Sequence, residues 1–559
     1  MRKPLLSVFL GLILILSIFF RVWKLNIVPI ELFGDELDVG LQAYSILTTG
    51  NDYLGNRLPV MFHSFSEYRY PMQLYMDVPF IFIFGLNQIG VRAVPVLMGL
   101  LTLVLTFLLL KHLFNKKVAF IGLIFMAISP WHFNFSRQAN DAGILLPFVI
   151  GGTLFFIKGM EKYKFLLVSI VLFALSIYTY AISVAFVPLF VLFLLGIYRK
   201  NIFTYSLPKL AAAFLLGAVI LIPFVKSILS GISSERFSVI AVNSGDSVFQ
   251  EVVDKRRWSE SILTRFFYNT KSITFDRTFT NYLTSFSTDF LFTKGDPNMR
   301  QGIEGFGQMY RFDTVLLVLG GFYILFQLTR DKADKKKFYI IMVWLLLAPI
   351  PSSLTKDGGN HASRLVLMIP PLITITSLGL NSLLEKARST RFKIMLGLLI
   401  IIMVFEITRF YHRYFVIWSN ESSRFWQSGF RETLTFVKNV DPEYSRIIFN
   451  NTYEPMLPRF LFYYQYDMRK FQKEFTGDRH MENIVPNVDG FSLGGKYYFG
   501  ELKKPIEKLA DAETLVVASA DKDATNPEIF YNGPLKLLKQ VDSPVGLPIF
   551  YIFTNKTSE

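Results

Sequence analysis

Gly34, Asp35 and Glu36 follow the first hydrophobic stretch of the chain, and further along come Ser66, Glu67, Tyr68, Arg69, Tyr70 and Pro71. Charged groups beside hydrocarbon cost free energy unless they line a wet cavity or bind something. An aspartate with a reference pKa of about 4 is ionised at neutral pH and can take a proton from an attacking hydroxyl as a general base. Glu36 has the chemistry to orient that hydroxyl or to support a metal, although two adjacent acids alone do not establish a metal site. The same pair also fits solvated acids at the head of a juxtamembrane helix over Leu37–Leu47, with Asp35 as its N-cap. Spacing leaves both readings open.

Three further groups carry chemistry. Glu67, Tyr68 and Arg69 place a guanidinium beside aromatic rings, which suits a phosphate or a sugar ring, and equally suits a snorkelling interfacial cluster. Trp131, Arg137 and Asp141 share a second turn, where an aromatic belt with a helix cap is the plainer alternative. Tyr178 and Tyr180 fit interfacial anchors better than ligands. His361 and Arg364, in Lys356-Asp357-Gly358-Gly359-Asn360-His361-Ala362-Ser363-Arg364, are spaced so that one helical turn would put both on one face. They could clamp a phosphate, because arginine offers a bidentate fork and keeps its charge, or they could belong to an ordinary polar loop. No glycine-rich phosphate loop or His-Glu-x-x-His motif occurs, which argues against nucleotide hydrolysis and zinc chemistry. With 0 cysteines in the sequence, disulfides and thiol chemistry are excluded.

The elements that must position these groups are mostly apolar. The 559 residues are 52% hydrophobic and only 18% charged, and repeated apolar runs predict a polytopic α-helical membrane protein. Helices are expected near 5–22, 91–110, 118–130, 142–157, 165–180, 182–198, 207–229, 312–329, 338–350, 365–384 and 392–410, about eleven spans. The net charge of +15 does not indicate nucleic acid, because the basic residues fall in short clusters between apolar runs. Lys111, Lys116, Lys117, Lys158, Lys162, Arg199, Lys335, Lys336 and Lys386 fall on one side, which is therefore cytoplasmic together with the N-terminus. The first helix is expected to be retained, since no small-residue cleavage site follows it. The external face then holds the loops 24–90, 131–141, 230–311 and 351–364. Met72 to Leu86 is expected as a helix lying in the interface. Residues 1–410 form the membrane part in this reading. From 411 to 559 the composition turns soluble, and a small α/β domain on the external side is expected. In it Ser422 to Lys438 has helical periodicity, and Ile447–Phe449, Thr514–Ala518 and Ile549–Phe553 read as strands.

In order and sidedness, Gly34-Asp35-Glu36, Glu67-Tyr68-Arg69-Tyr70-Pro71, Ser129-Pro130-Trp131 to Arg137 with Asp141, and His361-Ala362-Ser363-Arg364 resemble the GT-C integral-membrane glycosyltransferases. The branch most similar is the dolichyl-phosphate-mannose-protein mannosyltransferase and aminoarabinose transferase-like group, glycosyltransferase family 39-like. Relatives often carry lysine at the place of Arg69 and Pro-Pro at Tyr70-Pro71, so the charge is kept while individual donor contacts are not carried over. The resemblance implies a plasma-membrane enzyme that moves a hexosyl or pentosyl group from a polyprenyl-phosphate donor to a hydroxyl on the external face, with inversion. The acceptor is a protein, a glycolipid or a cell-wall polymer. Asp35 would match the catalytic acid, with Glu36 beside it. Glu67, Tyr68, Arg69, Arg137, Asp141, His361 and Arg364 would bind donor phosphate and sugar. No cofactor is required on this reading, which allows a divalent metal without indicating one. A transporter of lipid-linked sugars and a non-catalytic membrane scaffold are the alternatives. The first calls for charged or discontinuous helices near the bilayer midplane, whereas these helix interiors are nearly free of ionisable groups and the polar set sits on one face.

Overall fold

Each apolar run named above forms a helix, and local signals set where the helices start and stop. The computed structural model describes residues 3–64, 68–231, 240–244, 247–259, 261–330, 334–386, 390–475, 491–502 and 505–555. In chain order the principal helices are α1 (Lys3–Val22), α2 (Gly34–Thr49), α3 (Pro71–Phe84), α4 (Gln88–Leu113), α5 (Lys116–Ile128), α6 (Pro130–Phe135) and α7 (Asp141–Gly159). They continue as α8 (Tyr163–Ile177), α9 (Ala181–Ile197), α10 (Leu207–Leu229), α11 (Ser247–Arg257), α12 (Ile262–Phe267), α13 (Thr270–Thr284) and α14 (Asp313–Thr329). The last are α15 (Lys336–Leu347), α16 (Ile369–Lys386), α17 (Thr390–His412), α18 (Phe430–Val440), α19 (Met456–Tyr464) and α20 (Met468–Glu474).

The ends of α5 show how the boundaries arise. Asn115 is extended and its side chain accepts the Val118 N–H at 3.0 Å, so the helix begins before the expected residue 118. It stops at Ile128, because Ser129 caps α6 and Pro130 occupies the first position of that helix. The chain is a multi-pass membrane protein. Five of its described helices are long and apolar enough to cross a membrane: Gln88–Leu113, Asp141–Gly159, Leu207–Leu229, Val366–Lys386 and Thr390–Glu421. Shorter apolar helices accompany them, including Val8–Val22, Tyr163–Ile177, Ala181–Ile197 and Asp313–Thr329. α7 and α16 are buried along most of their length, whereas α10 presents Phe214, Leu215, Val219 and Leu229 outward. Apolar side chains on both kinds of helix are explained by protein neighbours for the first and lipid for the second.

The chain divides into two units. The first comprises Met1–Trp23, Tyr70–Gln73 and Val94–Phe415; the second comprises Lys24–Arg69, Leu74–Ala93 and Val416–Glu559. The second unit therefore adds most of the first loop to the C-terminal segment. Glu31 explains part of that grouping: its carboxylate accepts the Gly429 N–H at 2.8 Å and the Arg431 N–H at 2.5 Å, and so caps α18 from the first loop. α18 begins only at Phe430, not near Ser422 as its periodicity suggested, since Gly429 sits at φ 104° in the left-handed region and breaks the helical path.

The C-terminal sheet runs in the order β4-β5-β3-β6-β8-β7, with β3 (Arg446–Asn450), β4 (Phe491–Leu493), β5 (Tyr497–Gly500), β6 (Thr514–Ser519), β7 (Leu535–Asp542) and β8 (Pro548–Asn555). β3 lies parallel between β5 and β6, and the outer pairings are antiparallel. All six residues of β6 are buried, as a central strand covered on both faces must be. The three expected strands are present as β3, β6 and β8. A separate two-stranded ribbon, β1 (Phe62–His63) with β2 (Tyr68–Arg69), sits in the first loop.

Candidate active site

In the second unit the acidic residues lie in the first turn of α2, where the unpaired amide ends of the helix favour negative charge. Asp35 is not the N-cap; Phe33 is, and Glu36 reaches back to accept the Phe33 N–H at 3.3 Å. Asp38 lies one turn beyond Asp35, on the same helix face. Between them stands Arg69, delivered by the β1–β2 ribbon, in which it pairs with Phe62. Arg69 Nη2 meets Asp35 Oδ1 at 2.6 Å and Arg69 Nε meets Asp38 Oδ2 at 2.7 Å. Asp38 also accepts the Tyr53 hydroxyl at 2.9 Å. Burial, with Asp38 adding to it, pushes the Tyr53 phenol well above its usual range, so it stays a donor.

Exposure separates these groups. The Asp35 side chain is 46% accessible, against 11% for Arg69 and 7% for Asp38. One carboxylate thus faces outward while its cation and the bracing second carboxylate are buried. Glu36 points elsewhere. Its two oxygens take Arg92 Nε at 3.1 Å and Nη2 at 2.9 Å in a bidentate pair that is wholly buried. The remaining Arg92 protons go to the carbonyls of Leu25, Pro29 and Glu31. Glu36 therefore belongs to the clamp that shapes the loop entering α2. Tyr68 stands opposite His63 across the ribbon, their rings edge to face at 4.6 Å. Glu67 lies outside the described residues.

In the first unit, Arg137 is fully buried and donates to the carbonyls of Phe20 and Arg21, each at 2.7 Å, and of Trp23 at 2.9 Å. These are carbonyls at the C-terminal end of α1, which lack partners within the helix. Asp141 opens α7 next to its cap Asn140, whose side chain accepts the Ala142 N–H at 2.9 Å. Tyr178 is tied to α10 instead of standing as a free anchor: its hydroxyl donates to Ile220 O at 2.6 Å and accepts the Phe224 N–H at 3.2 Å.

His361 and Arg364 do share one turn, closed by the Leu365 N–H on His361 O at 3.1 Å. Neighbouring elements hold this turn by its backbone. Asp296 accepts the Ala362 N–H at 2.7 Å, Gln301 accepts the Ser363 N–H at 3.1 Å, and Trp131 donates its indole N–H to Ala362 O at 3.1 Å. The Ser363 hydroxyl lies 3.0 Å from His361 Nδ1 and 3.3 Å from the Tyr180 hydroxyl. Burial pushes the Asp296 carboxyl up to about 6. Arg364 donates to Thr355 Oγ1 at 2.7 Å and Lys356 O at 2.9 Å, both neutral acceptors. Such bonds aim a guanidinium without cancelling its charge.

Among the described residues no group of three or more histidine, aspartate or glutamate side chains is placed to hold a metal ion. Asp38, Tyr53, Arg92, Asp296 and Gln301 were not singled out from sequence. The one signal available was the spacing of Asp35 and Asp38; the others are distant in sequence from the groups they hold.

Residues 69–225 match the family described as dolichyl-phosphate-mannose-protein mannosyltransferase. That stretch contains Arg69, Arg137 and Asp141, while Asp35, Glu36, His361 and Arg364 lie outside it. No curated protein sequence matches the chain. The crystal structure of ArnT from Cupriavidus metallidurans bound to undecaprenyl phosphate is similar over 98% of this chain and 98% of its own, with a TM-score of 0.54 and 11% identity. The same protein in the apo state is similar over the same shares, with a TM-score of 0.52 and 12% identity. At such identity the likeness shows the fold, which is that of the GT-C class. The resemblance to the protein mannosyltransferase and aminoarabinose transferase-like group, drawn above from short motifs, is borne out.

Proposed function

We propose that this protein is an inverting glycosyltransferase that moves a sugar from a polyprenyl-phosphate donor to a hydroxyl acceptor on the external face of a plasma membrane. The observation that carries the reading is the half-exposed Asp35 carboxylate held at 2.6 Å by a buried Arg69, which Asp38 braces in turn. In this mechanism Asp35 takes the proton of the acceptor hydroxyl as its oxygen attacks the anomeric carbon. The bond from that carbon to the phosphate oxygen breaks on the opposite side, and polyprenyl phosphate departs with the electron pair. A single displacement of this kind inverts configuration. Arg364, with His361 in the same turn, is the proposed partner of the departing phosphate. Arg69 and Glu36 act as positioning residues, the first through Asp35 and the second through the Arg92 clamp. Tyr68, Glu67 and Asp141 are left to the sugar, and Arg137 to the architecture of α1.

Support for a lipid-linked donor comes from the ArnT structure of the same fold, which holds undecaprenyl phosphate. A polyprenyl tail partitions into the bilayer at about 0.8 kcal/mol per buried CH2, so its headgroup must be met at the interface. About eleven spans, a cytoplasmic N-terminus and an external C-terminal domain complete the proposal and follow from the basic clusters between apolar runs.

The test is transfer from a panel of radiolabelled polyprenyl-phosphate sugars in membranes, comparing the native protein with Asp35→Asn. Label should reach an acceptor with the native protein alone, and the active donor names the sugar. Retention of most transfer by Asp35→Asn would sink the assignment of the base.

A further inference from the structure

The stretch 230–311 was expected only as an external loop, but its described residues contain three consecutive helices, α11, α12 and α13, with an unusual surface. Their inner faces share a small core of Val248, Val252 and Ile273, and Arg277 on α13 grips Glu251 on α11 at 2.6 Å. Their outer faces are apolar. Trp258 is 88% exposed, Ile262 85%, Phe266 69%, Phe275 70% and Phe279 51%. The last two rings stack at 6.1 Å with 6° between their planes. Isolated exposed apolar residues are normal on a protein surface; a run of aromatic ones along successive helix turns marks an interaction face.

The chemistry of the face selects its occupant. α11, α12 and α13 have 11, 6 and 15 residues, too short for a span of about 20 residues, and α13 carries Lys271, Asp276 and Arg277. Over 247–284 the basic residues Lys255, Arg256, Arg257, Arg265, Lys271 and Arg277 outnumber the acidic Glu251, Asp254, Glu260 and Asp276. Exposed tryptophan and phenylalanine in a segment that also carries an excess of lysine and arginine match the polar–apolar boundary of a bilayer, where rings enter the acyl region and cations meet lipid phosphates. This segment also follows α10 in the chain, whose outward apolar side chains need lipid in the same way.

We propose that the α11–α13 segment is a platform seated in the bilayer interface. Its attachment gives the seat a consequence. The platform is fastened at both ends to one short stretch: the Val242 N–H donates to Leu354 O at 2.9 Å, Lys356 N–H to Ile240 O at 2.8 Å, and the Asn281 amide to Thr355 O at 2.9 Å. Gly359 passes so close to α13 that a Cβ there would stand 2.8 Å from Thr284 Cβ. Thr355 is the residue whose hydroxyl receives Arg364. The platform therefore fixes the depth of Arg364 relative to the lipid surface. That last step rests on the donor-phosphate role proposed for Arg364; the seating itself does not.

The sequence contains 0 cysteines, so single labelling sites can be added to the full chain without background. Trp258→Cys, Phe266→Cys and Phe275→Cys would each carry a nitroxide, with exposed Lys522→Cys as the aqueous reference. The proteins are reconstituted in phosphatidylcholine–phosphatidylglycerol vesicles, and collisions with oxygen and with a water-soluble nickel chelate are compared. Oxygen should dominate at 258, 266 and 275, and the nickel chelate at 522. Nickel collisions at the three platform sites equal to those at 522 would overturn the proposal, and so would labels shielded from both reagents and coupled between copies, which would mean a second chain covers the face. The readout needs neither donor nor turnover, so it fails or succeeds independently of the transfer assay.

Discussion

Arg69 and Arg364 are both held within 3 Å of their partners, yet the two regions use the same side chain in opposite ways. Arg69 forms ion pairs with two carboxylates, Asp35 and Asp38, whereas Arg364 donates to a hydroxyl and a carbonyl. Carboxylates neutralise a guanidinium as they fix it; neutral acceptors fix it and leave its field intact. The acidic cluster of the second unit is therefore organised to present Asp35, and the turn of the first unit is organised to present a cation. Arg92 extends the first pattern to its limit, with every bond spent on Glu36 and three carbonyls.

The comparison breaks most visibly at Arg92. Arg92→Ala leaves Glu36 buried without its cation, and removing one partner of a buried pair costs about 3–5 kcal/mol. A large fall in the thermal unfolding temperature in detergent is expected. The double variant Arg92→Met/Glu36→Leu should recover part of it, but not all, because the Leu25, Pro29 and Glu31 carbonyls stay unserved. Full activity and stability in Arg92→Ala would show that this cluster is not a structural clamp.

Asp35→Asn tests the same region from its exposed end. General-base catalysis contributes about 10²–10⁴ in rate, so kcat should drop by that order with the unfolding temperature unchanged. Arg364→Ala sharpens the contrast. A hydrogen bond to a charged group contributes about 1.5–3 kcal/mol, which is on the order of 10- to 100-fold in donor KM, with the acceptor KM unmoved. Arg69→Ala should instead lower kcat through Asp35. Equal loss for donor and acceptor in Arg364→Ala would assign that residue to structure alone.

How much of this was readable beforehand follows the range of the interactions. Apolar runs set the helices, and buried strands such as β6 were visible as short β-branched stretches, because both signals are local. Asp35 stood out as half of an acidic pair that follows the first hydrophobic stretch. Glu36 was misjudged as a companion of Asp35, since adjacent residues on a helix point about 100° apart and its partner Arg92 is remote in sequence. The donor-binding role of Arg137 rests on the family resemblance alone; its partners, the carbonyls at the end of α1, are more than 100 residues away in sequence and carry no signal of their own. Asp296 and Gln301 carry no motif at all, and only the folded chain brings them to the His361–Arg364 turn.

Asp296 gives the smallest and most diagnostic effect. Two amide N–H groups, from Ala362 and Asn298, favour its ionised form, yet burial outweighs them and raises the carboxyl from 3.8 to about 6. A carboxyl raised in the folded state contributes stability that is fully present below the unfolded pKa and is lost as pH rises through the folded one. The native protein should therefore lose stability between about pH 4 and 6 relative to Asp296→Asn, which cannot titrate there. Asp296→Asn retains one acceptor oxygen for the two amides and begins from a lower unfolding temperature at acid pH. The gap between the two proteins should narrow as pH rises to neutrality, measured by thermal unfolding across that range. A gap that widens with pH would mean the carboxylate is stabilised by Arg300 and Arg364 more than burial penalises it, and Asp296 would then count among the charges that oppose the Arg364 field.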